Sequence, residues 1–261
     1  MLRARLLTAV VALPPLIWLI CSAPPWLFSG VVLFCTALGL YEYFSLLHPR
    51  FSFALFFGLT WGMAVAIALL FLPASALGAV LVAGLFCSFL LSLRNPLPIQ
   101  GVRSVSDSLL GVSYVGFLTP HLALVRAASD GIGWTLFVFV VAMLGDTTGY
   151  LAGRTWGRHK LIPHISPGKT VEGSVGSFVG NLVGAGIVWS WFFPQRSLTE
   201  LLVLGFVAGG LAQVGDLYES AIKRAFGAKD SGHLLPGHGG ILDRLDSLLF
   251  PVVFIYYYGK I

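Results

Sequence analysis

The sequence predicts an all-α, polytopic integral membrane protein with about nine transmembrane helices, the N-terminus inside and the C-terminus outside. Three observations predict it. Of the 261 residues 57% are hydrophobic and 10% are charged, with a mean hydropathy of +0.87, a balance outside the range of soluble globular domains. Apolar runs of about 20 residues recur along the chain, the length that crosses a hydrocarbon core as a helix. These runs lack the strict alternation of barrel strands, and lipid offers no partner to an unpaired backbone amide, so helices are the remaining solution.

Taken in order, the expected spans are Leu6 to Ser22, Trp26 to Leu47, Phe53 to Leu72, Ala76 to Leu93, Leu109 to Val125, Ile132 to Gly153, Val175 to Phe193, Leu201 to Tyr218 and Leu245 to Tyr258. The last is short. Pro14 and Pro15 interrupt the first apolar run and eight further spans follow, which argues against a cleaved signal peptide. With the N-terminus inside, Arg3, Arg5, Arg50, Arg94, Arg103, Arg154, Arg158, Lys160, Lys169, Lys223, Arg224, Lys229 and Arg244 fall on the inner side. Only Arg126, Arg196 and Lys260 fall outside, a 13 to 3 split that fits the positive-inside rule. The net charge of +5 is therefore mostly an orientation signal, with an added attraction to anionic headgroups, and no nucleic-acid module accompanies it. Cys21, Cys35 and Cys87 lie in expected spans at spacings that match no zinc pattern.

Two regions emerge. Residues 1–130 carry only Glu42, Asp107 and Asp130 as carboxylates and read as a packing and lipid-facing transmembrane scaffold. Their main polar break, Arg94 to Ser108, contains Pro96, Pro98 and Gly101 and is expected to be irregular, with the part from Val102 onward at the interface. Residues 131–261 form the expected catalytic region, with cytoplasmic loops at 154–173 and 219–244. No internal repeat supports an inverted-repeat carrier. Gly176, Gly180 and Gly184 recur at four-residue spacing, a ridge that lets helices approach closely in lipid.

Charge is concentrated between positions 216 and 246, where Asp216, Glu219, Asp230, Asp243 and Asp246 supply five of the eleven carboxylates. Charge at a membrane edge marks a functional site by default. Asp216, Ser220 and Lys223, at i, i+4 and i+7, share a face if the helix continues; Glu219 and Lys223 have the spacing of an ordinary surface pair. Pro236-Gly237-His238-Gly239-Gly240 permits positive φ and backbone approach to an anion. Asp243 and Asp246, at i and i+3, suit either a helix cap or hard oxygen ligands for magnesium, with one of them structural. Phosphoryl and nucleotidyl transfer use such carboxylates, with Lys and Arg clamping the remaining oxygens.

In the other loop, Gly168-Lys169-Thr170 resembles the tail of a P-loop. The first glycine of that motif would fall at Pro163 and no strand is expected before it, so a P-loop is excluded while Lys169 stays a phosphate-binding candidate. Asp146, Thr147 and Tyr150 end the sixth span on the same side, with a buried polar pair as the plainer reading of Asp146. His159, His164, His233 and His238 have no metal-ligand spacing and read as loop donors; His48 and His121 read as interfacial or packing residues. No nucleophile elbow or catalytic cysteine is evident.

Ser220-Ala-Ile-Lys223-Arg224, Lys229-Asp230 and Pro236-Gly-His238-Gly239-Gly240-Ile-Leu-Asp243-Arg244-Leu-Asp246 resemble the long signature of phosphatidate cytidylyltransferases, or CDP-diacylglycerol synthases. The resemblance extends to Asp146-Thr147-Thr148-Gly149-Tyr150, where many members carry alanine in place of Gly149, to the loop around Lys169, and to Arg5-Leu-Leu-Thr8. It covers the second half closely and the first half by hydropathy. It implies transfer of the cytidylyl group of CTP to phosphatidic acid in the bilayer of a bacterial-type inner membrane. Magnesium is the implied cofactor, with potassium beside it in some members, and the site faces the cytoplasm.

On that basis Asp216 and Asp243 are expected to hold the metal, backed by Asp246 or Asp230. Lys169, Lys223, Arg224, Lys229 and Arg244 are expected to hold the phosphates. Ser220, His238, Gly239, Gly240 and Asp146 complete the substrate site. No nucleic-acid partner is expected, and a homo-oligomer stays open. Two rival enzymes are a CTP-dependent lipid-alcohol kinase and a cytidylyltransferase acting on another lipid; an ion-coupled transporter is the rival from another class.

Overall fold

The computed structural model describes residues 13–48, 52–232 and 239–259. Arg3, Arg5, Arg50, Lys260, His233 and the turn residues Pro236, Gly237 and His238 lie outside the described residues. The described residues are dominated by helices. Residues 13–21 are helical and belong to the first expected span. They are followed by α1 (Pro25–Leu47), α2 (Phe53–Phe71), α3 (Ala74–Ser92), α4 (Pro98–Gly111), a π-helical segment (Val112–Phe117), α5 (His121–Ala127) and α6 (Gly131–Trp156). A two-stranded hairpin, β1 (Lys160–Ile162) and β2 (Ser166–Thr170), leads into α7 (Val171–Phe192), α8 (Leu198–Ala225) and α9 (Leu242–Tyr258). Seven of the described helical stretches are long and apolar enough to cross a membrane, the fourth being the composite 98–127. The final helix is short, as expected, and carries Pro251 in its interior.

The irregular loop expected from Arg94 to Ser108 is mostly helical. Pro98 sits in the first turn, where its missing amide has no intrahelical partner to lose, and Gly101, Val105 and Ser108 bury one face. Gly101 is required there because a Cβ would lie 2.8 Å from the Ser92 carbonyl oxygen. Pro120 then separates the π-helical segment from α5. His121 is fully buried among the rings of Phe117, Tyr256 and Tyr257, the packing role expected of it.

The tightest association is α6 against α7. The expected ridge on α7 lies against Val140, Leu144, Thr148 and Ala152 of α6, while a glycine row on α6, Gly145, Gly149 and Gly153, lies against Gly173, Ser177 and Asn181. A Cβ at Gly173 would lie 2.9 Å from the Gly149 carbonyl oxygen, and one at Gly184 would lie 3.2 Å from that of Val140. Backbones this close gain dispersion and exclude lipid without any large side chain. Asn181 of α7, buried and with its amide unpartnered among the described residues, fills the junction between Gly145 of α6 and Gly209 of α8.

This packing brings both polar inserts to one end of the bundle. The hairpin joins α6 to α7, with Lys160 opposite Thr170 and Ile162 opposite Ser166. Arg224, at the end of α8, donates to the Ile165 carbonyl at 3.4 Å. The opposite end holds Arg126, which donates to the Ile20 carbonyl at 2.5 Å, and Arg196, which pairs with Glu200 at 2.9 Å.

Candidate active site

At the insert end, α6, the hairpin, α7 and α8 enclose a cavity of about 440 Å³. Its polar lining includes Asp146, Tyr150, Ser166, Lys169, Thr170, Ser174, Ser177, Gln213 and Asp216. Small residues open it: Gly145, Gly149, Gly168 and Gly173 lie on its walls, so the ridge that packs the helices also leaves room beside them. Thr170 caps α7, its hydroxyl accepting from the Gly173 amide at 3.1 Å. That cap fixes the end of β2 and therefore the base of Lys169.

Lys169 Nζ lies 2.7 Å from Asp216 Oδ2. The pairing joins the two inserts, which the sequence reading had associated only through the family resemblance. A short strand does precede Lys169, against expectation, but it pairs with the strand that carries Lys169 itself. Lys169 thus stands on the second strand of an antiparallel hairpin, one residue before the Thr170 cap of α7, and the first glycine of a P-loop is still missing at Pro163.

Asp146 opens into the cavity rather than forming a buried helix pair. The charges of Asp146, Asp216 and Asp246 act on one another, and those of Lys169 and Arg244 act on Asp146. Gly215 explains the approach of α8 to α9: a Cβ there would collide with the Asp246 carbonyl oxygen. Four separate elements therefore contribute charge to one place.

Asp243 is held differently. Its Oδ1 accepts from Lys223 Nζ at 2.6 Å, and its Oδ2 accepts from the Gly240 amide at 2.8 Å, the Ser231 amide at 3.1 Å and the Ser231 hydroxyl at 3.0 Å. Gly239 adopts φ +76°, the positive value anticipated for the turn, which aims the Gly240 amide at Asp243. Lys223 also pairs with Glu219, which is fully buried. The expected surface pair is thus an interior one, and α8 runs unbroken to Ala225 with Asp216 and Lys223 engaged by different partners.

Ser220 is half-buried on α8, and Arg224 is exposed and tied to the hairpin. Lys229, Asp230 and Arg244 are exposed on the loop and the start of α9. His159 pairs with Glu172 at 2.7 Å beside the hairpin, and among the described residues no cluster of three or more His, Cys, Asp or Glu could hold a metal by itself.

Glu42 escaped the sequence reading. It lies on α1, in the half read as scaffold, yet it accepts hydrogen bonds from Ile241, Leu242 and Ser231. The one available signal was a lone carboxylate inside a long apolar run, which membrane energetics flags as functional. Glu219 was visible but assigned to the surface, because i,i+4 spacing says nothing about burial.

Fold and cavity together define an integral membrane protein with carboxylates and cations gathered around a cavity between its helices. The chain belongs to the cytidylyltransferase family, whose model matches residues 3–261. It is similar to the phosphatidate cytidylyltransferase of Brucella abortus, with 36% identity over 276 aligned residues covering 100% of this chain and 94% of the relative. It is also similar to the phosphatidate cytidylyltransferases of Staphylococcus saprophyticus and Staphylococcus haemolyticus, 44% and 43% identical over 142 residues. Those two matches span about half of this chain and about half of each relative, 54% in both cases.

Proposed function

We propose that this chain transfers the cytidylyl group of CTP to phosphatidic acid, giving CDP-diacylglycerol and pyrophosphate. The carrying observation is the Lys169–Asp216 pair at the cavity, joined by the charges of Asp146, Asp246 and Arg244, in a member of the cytidylyltransferase family. A transporter would place its essential charges deep within the spans, and Asp146 and Asp216 do lie ten and nine residues inside α6 and α8, but the cations Lys169 and Arg244 that would bind phosphate stand where α7 and α9 begin.

In the proposed reaction an oxygen of the lipid phosphate attacks the α-phosphorus of CTP in line and pyrophosphate departs. Lys169 and Arg244 clamp phosphate oxygens at the cavity, while Arg224 and Lys229 extend the basic surface along the loop. A phosphate monoester is ionised near neutral pH, so no strong general base is required. Positioning and charge neutralisation supply most of the rate.

The donor set fits magnesium, which binds through one or two carboxylates and completes its shell with water and substrate phosphates. Asp216 and Asp243 are the proposed holders, with Asp246 and Asp146 beside Asp216; Asp243 takes that role by giving up one of its present donors. Held by these carboxylates, magnesium would supply positive charge that offsets the charge of the departing pyrophosphate.

The proposed topology has nine spans, N-terminus in and C-terminus out, in a bacterial inner membrane with the cavity facing the cytoplasm. Arg154, Arg158, Lys160, Lys169, Lys223 and Arg224 at the cavity end, against Arg126 and Arg196 at the other, support it. A cysteine introduced at Gly168, with the native cysteines replaced, should react with an impermeant thiol reagent only after cells are opened. Labelling in intact cells would reverse the orientation.

The reaction is tested with purified protein, magnesium, phosphatidic acid and CTP labelled at the α- or γ-phosphate. Lipid-dependent pyrophosphate release with α-label in the lipid is expected. Transfer of the γ-label would establish a kinase instead, and no lipid-dependent release would defeat the assignment.

A further inference from the structure

We propose that Glu42 is a positioning residue for nucleotidyl transfer, fastening Ser231 and the start of α9 so that the backbone carrying Asp243 is held in place beside the nucleotide. This rests on the reaction assigned above. Glu42 lies on α1 and is 3% exposed. Its Oε1 accepts from the Ile241 amide at 2.9 Å, and its Oε2 accepts from the Leu242 amide at 2.9 Å and the Ser231 hydroxyl at 3.2 Å.

The first amides of a helix have no partner within it, and a carboxylate there also meets the positive end of the helix dipole. Glu42 satisfies two such amides where α9 begins, one residue before Asp243. Among the described residues no cation pairs with it, so its partners are all donors of the segment it holds. The fit is close: a Cβ at Gly232 would lie 2.6 Å from Glu42 Oε1, and one at Gly240 would collide with Oε2. Glycine at both positions lets the chain fold directly over a carboxylate that projects from another helix.

Ser231 connects this clamp to Asp243. Its amide points at Asp243, while its hydroxyl lies within reach of both carboxylates, 3.0 Å from Asp243 and 3.2 Å from Glu42. A hydroxyl carries one proton and can donate to one acceptor at a time. When Asp243 turns toward a ligand, Ser231 can donate to Glu42 instead, so the segment stays fastened while Asp243 is released.

The test compares wild type with Glu42→Gln and Ser231→Ala, all purified in detergent. Glutamine keeps the size and one acceptor but turns an NH2 toward a backbone N–H. Glu42→Gln should lower kcat by about 10- to 100-fold, the range for residues that orient a ligand-bearing side chain. Equilibrium binding of CTP in the presence of magnesium should weaken, KM for phosphatidic acid should stay unchanged, and thermal unfolding should show folded protein. Ser231→Ala should move the same quantities in the same direction by less.

Wild-type kcat and CTP binding in Glu42→Gln would overturn the proposal. So would a loss of activity that only tracks the loss of folded protein. If Glu42→Gln does not fold, Ser231→Ala decides alone, and unchanged kcat and CTP binding in it overturn the proposal. A wild-type protein without lipid-dependent pyrophosphate release would remove the assigned reaction and this inference together, whereas an active wild type with unaffected variants removes the inference only.

Discussion

The surroundings of Asp216 and Asp243 differ more than their shared chemistry suggests. Asp216 has one cation, Lys169, and borders an open cavity walled by glycines. Asp243 accepts from a lysine, a hydroxyl and two backbone amides, and it sits above the buried Glu219 and the clamp formed by Glu42. The first arrangement joins the hairpin to α8 beside open space; the second ties the end of α8, Ser231 and the start of α9 to one carboxylate. One carboxylate therefore reads as poised for substrate, and the other as held in place by the fold until substrate arrives.

The sharpest way to break this comparison is to remove the cation from each side. Lys223→Met would leave Glu219 and Asp243 without their shared ammonium, and breaking a buried pair from one side costs about 3–5 kcal/mol. A large fall in thermal stability in detergent is expected, along with loss of activity. Lys169→Met removes a half-exposed pair worth about 0–1 kcal/mol of stability, so it should unfold close to wild type. Its rate of pyrophosphate release should nonetheless fall by about 10²–10³-fold, the usual effect of deleting one group that stabilises transition-state charge. Equal loss of stability in both variants would erase the distinction between cradle and cavity.

A smaller effect tests the cavity wall. Gly145→Ala would push a methyl group into Asn181 and should destabilise by about 1–3 kcal/mol as overpacking. Gly168→Ala, where nothing lies within 4 Å of the added Cβ, should unfold like wild type. The smallest effect belongs to Arg103→Ala, on α4 and outside the cavity lining. Its pair with Asp107 spans 3.9 Å with the arginine mostly exposed, so about 0–1 kcal/mol and unchanged pyrophosphate release are expected.

The helical architecture was legible because lipid imposes a length and a composition on any crossing segment, and both are local properties. The expected spans from Trp26 onward fall on described helices, most with boundaries within a few residues, but Leu109 to Val125 is divided among α4, the π-helical segment and α5, and α8 runs seven residues past Tyr218. Arg94 to Ser108 differs: Pro96, Pro98 and Gly101 predict an irregular loop, yet Pro98 occupies the first turn of a helix, the part that tolerates proline. Within the site, Asp216, Asp243, Lys169 and Lys223 stand out as candidates from charge in an apolar chain and from family resemblance. Their pairing does not. Helical spacing placed Asp216 and Lys223 on one face, but neighbours on other elements direct them to different partners.

What the sequence by itself determined, then, is an all-helical membrane protein of a recognisable family, with its charge gathered in two inserts and a glycine ridge on one helix. These are consequences of solvent and of short-range geometry, so a window of about 20 residues carries them. Only the tertiary structure decided that Lys169 meets Asp216 across 47 positions of chain, that Gly149 and Gly153 of α6 close on Gly173 of α7, and that Glu42 reaches the first residue of α9 from 200 residues away. Such contacts depend on which helix faces lie together, and a single carboxylate in an apolar run gives no sign of the distant amides that it will bind.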